Sequence, residues 1–386
     1  MACATLDLFS GTGGVSYALR GGIARTVAYC EACPNARAIL EGNMARGFID
    51  RAPVLEDVRT LDPGALPDVE LIAGGFPCVG LSRAGRREGL AHPASALFYR
   101  VVEIAEALRP PLIFLENVAT VVDNGVLEEI KAQLEGKLGY EVRWITLPAY
   151  AVGAPQIRER WYALAVRPGY ARTWTLDATP TFDWSVQPPR MVPVGSEPGA
   201  TARKRALGNG VVPDAVRLAF MFLASGGRVS TLSSEASTLM LQPMVAARFP
   251  AANSSPCMLQ PMAKVGIPTK PDLGLRLTPD GGGAATNPAI KTAVIVREHR
   301  LRLWATPRFK NQGANAVLTY RGTQDLPTQM KFEAGTPLHQ RGAGYRPSVC
   351  FYEWLMGVPN GFTSSSTSRS LRPSSCARNS PKLQSH

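Results

Sequence analysis

Along the first 167 residues the apolar positions fall into two recurring patterns. Short runs rich in β-branched and aromatic residues, "ATLDL", "RTVAYC", "VELIAGG", "PPLIFLENV", "YEVRWITL" and "RWYALAV", have the length and composition of buried strands. Between them, "ALFYRVVEIAEALRP" and "GVLEEIKAQLEGKLG" space their apolar residues as a helix does, "GVSYAL" starts a helix after a glycine turn, and "PNARAIL" opens one near Pro34. Strands alternating with helices predict an α/β fold: a mostly parallel sheet covered on both faces, with ligand chemistry at the C-terminal ends of its strands. Residues 1–167 are therefore expected to form one catalytic and cofactor-binding domain.

The alternation stops there. Residues 168–206, rich in Pro, Thr and aromatics without a period, read as a loop-rich insert. In 207–225, "LGNGVVPDAVRLAFMFLAS" reads as a turn and an amphipathic helix from Asp214 to about Leu223 that returns to the sheet. From 226 to 300, Ser, Thr, Gly and Pro make a linker in which "MLQPM" occurs twice, too few copies for a repeat architecture. Residues 301–363 are expected to form an appended lobe, and "AVIVREHRLRLW" and "VCFYEWLMGVPNGF" are the late stretches with strand or helix character. The acid-free, Ser-rich stretch 364–386 reads as a disordered basic tail.

Composition narrows the classes. No run approaches the roughly 18 apolar residues of a membrane span, and no secretory pattern opens the chain, so no membrane partner and an intracellular setting, the cytoplasm in a bacterial host, are expected. Seven scattered cysteines fit reduced thiols, and Cys30 with Cys33 lacks the further ligands that zinc requires. The net charge of +12 is uneven: −4 over residues 1–150 (14 basic, 18 acidic), +5 over 151–230 and +11 over 231–386. That distribution suits an enzyme core joined to a polyanion-binding region, or a basic tail kept for solubility.

Several side chains fall where such a sheet holds its ligands. The first turn carries Gly11, Gly13 and Gly14, but Ser16 stands where a dinucleotide fingerprint requires a third glycine, which removes the main support for NAD. The turn still admits a small cofactor, with Asp7 as a polar handle. Glu31 follows the second strand at the spacing that binds ribose hydroxyls, and Asp57 is placed to reach an adenine amino group. Cys78 follows a strand, two glycines and a proline, and Arg83, Arg86 and Arg87 are expected to favour its thiolate. The alternative is an inert, buried cysteine. Glu116 ends the next strand, where burial would raise its pKa and permit proton donation. Arg158 and Arg160, two apart, share one face if extended.

Together "DLFSGTGG", "GGFPC" with "GLS", "LENV", "QIRER" and "LGNGVVP" resemble, in order and spacing over residues 4–223, the motifs of the DNA (cytosine-5)-methyltransferase family. The resemblance implies a Rossmann-like S-adenosylmethionine-dependent sheet with a small, loop-rich C-terminal DNA-recognition lobe. It implies S-adenosylmethionine held by Asp7, Phe9, Gly11, Gly13, Gly14, Glu31, Asp57, Pro77 and Asn209. By the same resemblance Cys78, Glu116, Arg158 and Arg160 are catalytic, and Ser82, Arg83, Arg86, Arg87 and Gln156 meet double-stranded DNA. The implied reaction methylates carbon 5 of a flipped cytosine through a Cys78 adduct, in a monomer of compact viral or bacterial restriction-modification style.

The chain departs from the family at Val79, where glutamine is common, and at Ala32, where a bulky apolar residue is common. Only about 47 residues separate Arg160 from Gly208, while "RLWATPRF" and "YEWLMGVPNGF" follow the asparagine motif, so residues 231–363 are expected to carry DNA contacts. The alternatives are a transfer-RNA cytosine-5 methyltransferase, an inactive DNA-binding relative, and a thiol-redox protein using Cys30 and Cys33.

Overall fold

A computed structural model describes residues 1–78, 89–122, 125–174, 181–226 and 345–365. The apolar runs become β1 (Cys3–Leu8), β2 (Ala24–Cys30), β3 (Val54–Leu55), β4 (Leu71–Gly74), β5 (Leu112–Val118), β6 (Glu141–Pro148) and β7 (Glu159–Val166). They form one sheet in the order β3-β2-β1-β4-β5-β7-β6. The first five in that order are mutually parallel, whereas β7 runs antiparallel to both β5 and β6. The link from β6 to β7 is too short for the crossover that a parallel pair needs. Its consequence is functional: the first residues of β7 lie beside the last residues of β5, with Arg160 opposite Val118 and Tyr162 opposite Glu116.

Alternate residues of each central strand enter different layers, as a pleat of period two requires. Leu71, Ala73, Leu112 and Phe114 join one core; Ile72, Ile113 and Leu115 join the other. The second core is closed by α3 (Leu97–Leu108), which buries Phe98, Val101, Val102, Ile104 and Ala105, and by α4 (Val126–Lys131). The first is closed by α1 (Gly14–Leu19) and a later helix, Pro213–Ala224, whose Phe220 ring packs 5.3 Å from that of Phe114. α2 (Pro34–Arg46), opened by a proline in its first turn and ended by Gly47 in the left-handed region, carries Leu40 and Met44 against Tyr29 of β2.

The region expected to be loop contains β8 (Met191–Pro193) and α5 (Ala200–Asn209). Of α5 only Ala200 and Leu207 are buried, so it lacks the apolar stripe by which helices are recognised. The next helix, Pro213–Ala224, is α6. The stretch Ala200–Ala224 is apolar enough to cross a membrane, yet 61% of its most apolar window is buried in the fold.

The expected appended lobe, 301–363, is corrected at its C-terminal end. β9 (Tyr345–Pro347) pairs with β8, and α7 (Val349–Leu355) places Val349, Phe351 and Leu355 in the first core. Phe362 then packs on Tyr17, with ring centroids 5.2 Å apart. Glu353, with no exposed surface, accepts from Arg203 at 3.0 Å and from the Gly361 and Thr363 amides at 2.8 and 2.9 Å. A buried carboxylate satisfied by one cation and several donors locks this segment to α5. The readings for 227–344 and for the tail from 366 lie outside the described residues.

Candidate active site

The turn after β1 is built on backbone that few residues tolerate. Phe9, Gly11 and Gly13 have φ of 55°, 56° and 81°, a region in which a bulky residue is an outlier. The Gly13 amide closes the turn on the Ser10 carbonyl at 2.8 Å. A Cβ on Gly13 would meet Ile49, and one on Gly14 would meet Val211 of the asparagine motif, whereas one on Gly11 would meet only the Phe9 carbonyl, at 4.0 Å. The Gly11 amide donates to Glu31 at 2.8 Å, and the Cys33 amide donates to the other oxygen of the same carboxylate at 2.7 Å. Asp57, at the tip beyond β3, is paired with Arg59 at 2.6 Å, which holds its carboxyl near 2.

Glu31, Asp57 and Asp7 all lie close enough to Cys30 to raise its thiol, which burial and these carboxylates push up to about 12. Cys33, by contrast, is exposed. Bare glycine backbone beside an oriented carboxylate fits a nucleoside-bearing cofactor. Asp7 is a correction: with no exposed surface, it accepts from Ser16 Oγ at 2.5 Å beneath the turn, and burial pushes it up to about 7. It supports the turn from inside instead of offering a handle to a ligand. Asn209 is exposed at the end of α5.

The second half of the site begins where β4 ends. Gly74, at φ 155°, has no room for a Cβ against the Leu8 carbonyl, and a Cβ on Gly75 would stand 2.7 Å from Glu116 Oε2. Both glycines are thus demanded by close approach. Phe76 is buried against Phe98, with centroids 5.3 Å apart. The Phe76 carbonyl accepts from Asn117 Nδ2 at 3.0 Å, and the Pro77 carbonyl accepts from Ser95 Oγ at 3.1 Å. These anchors present a half-buried Cys78. Burial and then the Glu116 charge push its thiol up, with Arg160 and Arg158 opposing. Burial and a facing carboxylate thus outweigh the guanidiniums of Arg158 and Arg160; the thiolate expectation concerns Arg83, Arg86 and Arg87. Val79, Ser82, Arg83, Arg86 and Arg87 lie outside the described residues.

Glu116, 8% exposed, forms an ion pair with Arg160, Nε to Oε1 at 3.0 Å. Burial raises its pKa, as expected, while Arg160 and then Arg158 lower it. The two arginines divide their work. Arg158 is 2% exposed and donates to the Gly208 carbonyl at 3.3 Å and to the Gly210 carbonyl, so it ties the asparagine motif to the arginine motif. Burial and Arg160 push it down to about 9. Gln156 is also corrected: with no exposed surface, it donates to the Leu355 carbonyl at 2.5 Å, holding the C-terminal segment instead of meeting DNA. Asn117 and Ser95 were missed among the candidates. "LENV" contains the first beside Glu116, but only tertiary contact exposes the second.

A profile described as C-5 cytosine-specific DNA methylase matches residues 3–217, more than half of the chain. The chain is 37% identical over 231 residues to the type II methyltransferase M.CviJI of Paramecium bursaria Chlorella virus IL3A, covering 58% of this chain and 60% of that protein. It is 34% identical over 166 residues to M.MspI of Moraxella sp., covering 42% of this chain and 38% of that one. The crystal structure of S. pombe Dnmt2 methyltransferase aligns at 26% identity and TM-score 0.36, covering 44% of this chain and 53% of that one. The chain thus spans 60% or less of the length of these relatives.

Proposed function

This chain belongs to the C-5 cytosine-specific DNA methylase family, and from that membership we propose that it methylates carbon 5 of cytosine in double-stranded DNA through a Cys78 adduct. The observation that carries the reading is the convergence of Cys78, Glu116 and Arg160 at one sheet edge beside the glycine turn. M.CviJI and M.MspI are type II methyltransferases, and a restriction-modification role is part of the same proposal.

Carbon 5 of cytosine is a weak nucleophile, so the ring must first be activated. The Cys78 thiol gives its proton to water, and the sulfur bonds to carbon 6. The displaced ring electrons move toward N3, where Glu116 supplies a proton, leaving carbon 5 electron-rich. Arg160, paired with Glu116, would hold the O2 carbonyl. Phe9, Gly11, Glu31, Asp57, Pro77 and Asn209 would hold S-adenosylmethionine, which when bound supplies an electrophilic methyl group. After transfer a base takes the carbon 5 proton, the carbon 6–sulfur bond breaks, and the N3 proton returns to Glu116.

A stacked base cannot reach a cysteine at a sheet edge, so the cytosine must leave the duplex, at a cost of a few kcal/mol. Phosphate contacts from the basic part of the chain would offset that cost, and binding should weaken with salt.

Bisulfite sequencing of plasmid DNA from cells expressing the chain, beside Cys78→Ser, tests the proposal. Methylated cytosines at a recurring site are expected only with Cys78 present. Unmodified plasmid from both would overturn it, and methylation confined to transfer RNA would reassign the substrate.

A further inference from the structure

The peptide joining Pro77 to Cys78 is a rigid plane with the Pro77 carbonyl at one end and the Cys78 N–H at the other. Ser95, in the turn leading into α3 and with no exposed surface, donates its hydroxyl to that carbonyl at 3.1 Å. At the far end of the same plane, the Cys78 N–H opposes, less than Arg160 does, the upward push of burial and Glu116 on its own thiol. One peptide before it is fixed as well, since Asn117 Nδ2 donates to the Phe76 carbonyl at 3.0 Å and the Phe76 ring is packed on Phe98. The Asn117 amide is itself oriented, because its oxygen accepts from the Val118 amide at 2.9 Å.

We propose that Ser95 is a positioning residue for Cys78: its hydroxyl fixes and polarises the Pro77–Cys78 peptide so that the N–H at the other end supports the attacking sulfur. This rests on the reading of Cys78 as the nucleophile. Hydrogen bonds in series through a peptide polarise one another, so a donor on the carbonyl strengthens the N–H opposite it. Among the described residues, the charged groups that also face the sulfur are Glu116 from β5, Arg160 from β7 and Arg158 from the turn before it. A buried serine that served only to fill space would leave the chemistry of Cys78 unchanged.

The test uses the full chain, Ser95→Ala, Ser95→Cys, and Val102→Ala as a packing control on the helix that follows Ser95. Each is alkylated with iodoacetamide across the neutral-to-alkaline range, and modification of the Cys78 peptide is followed by mass spectrometry. Methyl transfer to duplex DNA is measured alongside. Ser95→Ala should titrate at higher pH and react roughly fivefold more slowly below its midpoint, the influence of about one hydrogen bond. Its kcat should fall with the cofactor KM unchanged. Ser95→Cys, a weaker donor of similar size, should fall between, and Val102→Ala should follow the wild-type curve. A folded Ser95→Ala on the wild-type alkylation curve would overturn the inference. Should Ser95→Ala not fold, Ser95→Cys on that curve overturns it equally. A wild type that shows the Ser95 effect but never methylates DNA or RNA would instead sink the catalytic reading alone.

Discussion

The two halves of the site each bury a carboxylate near a strand end and treat it in opposite ways. Under the glycine turn Asp7 is bonded to the Ser16 hydroxyl, which in turn lies 2.8 Å from Thr26 Oγ1, and burial pushes it up to about 7. At the end of β5, Glu116 is buried as deeply for practical purposes but faces Arg160 and Arg158, which oppose the effect of burial. A carboxyl bonded to a hydroxyl beneath a turn, with no exposed surface, is scaffold. A carboxyl balanced between burial and guanidiniums, and lying beside Cys78, can pass a proton to a substrate. The partner, more than the depth, separates a structural acid from a chemical one.

The strongest way to break that contrast is Glu116→Gln. Loss of the proton donor should lower methyl transfer by about 10²–10⁴-fold. Alkylation of Cys78 should become faster, since Glu116 raises the thiol. Assaying both on one preparation checks it; slower alkylation together with slower transfer would make Glu116 a structural residue after all.

A pair of glycine substitutions sharpens the division more finely. Gly75→Ala puts a methyl group 2.7 Å from Glu116 Oε2, an atom of a carboxylate held by Arg160. It should lower kcat by roughly 10²-fold, the size expected from a small displacement of a reacting group, with the cofactor KM unchanged. Gly13→Ala instead strains a left-handed position at φ 81° and presses on Ile49. It should raise the cofactor KM by about tenfold, from a strain of about 1–2 kcal/mol. Steady-state kinetics with varied S-adenosylmethionine separates the two, and a shared effect on one parameter would erase the distinction between the halves.

The smallest effect on activity is expected of Asp7→Asn, and its signature is in stability. Because the folded pKa of about 7 lies above the ordinary 3.8, the native state keeps this proton after the unfolded state has lost it. Asp7 therefore costs stability increasingly from about pH 4 to about pH 7, and nothing further above. Asparagine removes that slope, so the variant should gain on the wild type across this window, by on the order of 4 kcal/mol at most. Chemical denaturation at several pH values checks it; a gap independent of pH would show that Asp7 titrates as an ordinary aspartate.

Much of this arrangement is legible along the chain. The apolar runs and helical spacings announce β1, β2, β4 to β7, α3 and α4, and the residues in or just after the ends of those strands include Glu31, Cys78 and Glu116. What escapes is whatever depends on a distant partner. Arg158 and Arg160 look alike two residues apart, but one binds the carbonyls of Gly208 and Gly210 and the other binds Glu116. Gln156 looks like a surface residue of the arginine motif until Leu355 covers it. α5 hides because too few of its residues are buried to leave a stripe.

The sequence by itself determined the strand-and-helix rhythm, the glycine positions and the residue types at the strand ends, because these follow from backbone period, φ preference and chemistry within a few residues. The tertiary structure alone decided that β7 runs antiparallel and so delivers Arg160 to Glu116, that residues 345–365 return to the core, and that the charges of Glu116, Arg160 and Arg158 act on the Cys78 thiol. Those outcomes are sums over neighbours from remote parts of the chain, and electrostatic balance in a buried cleft depends on every one of them.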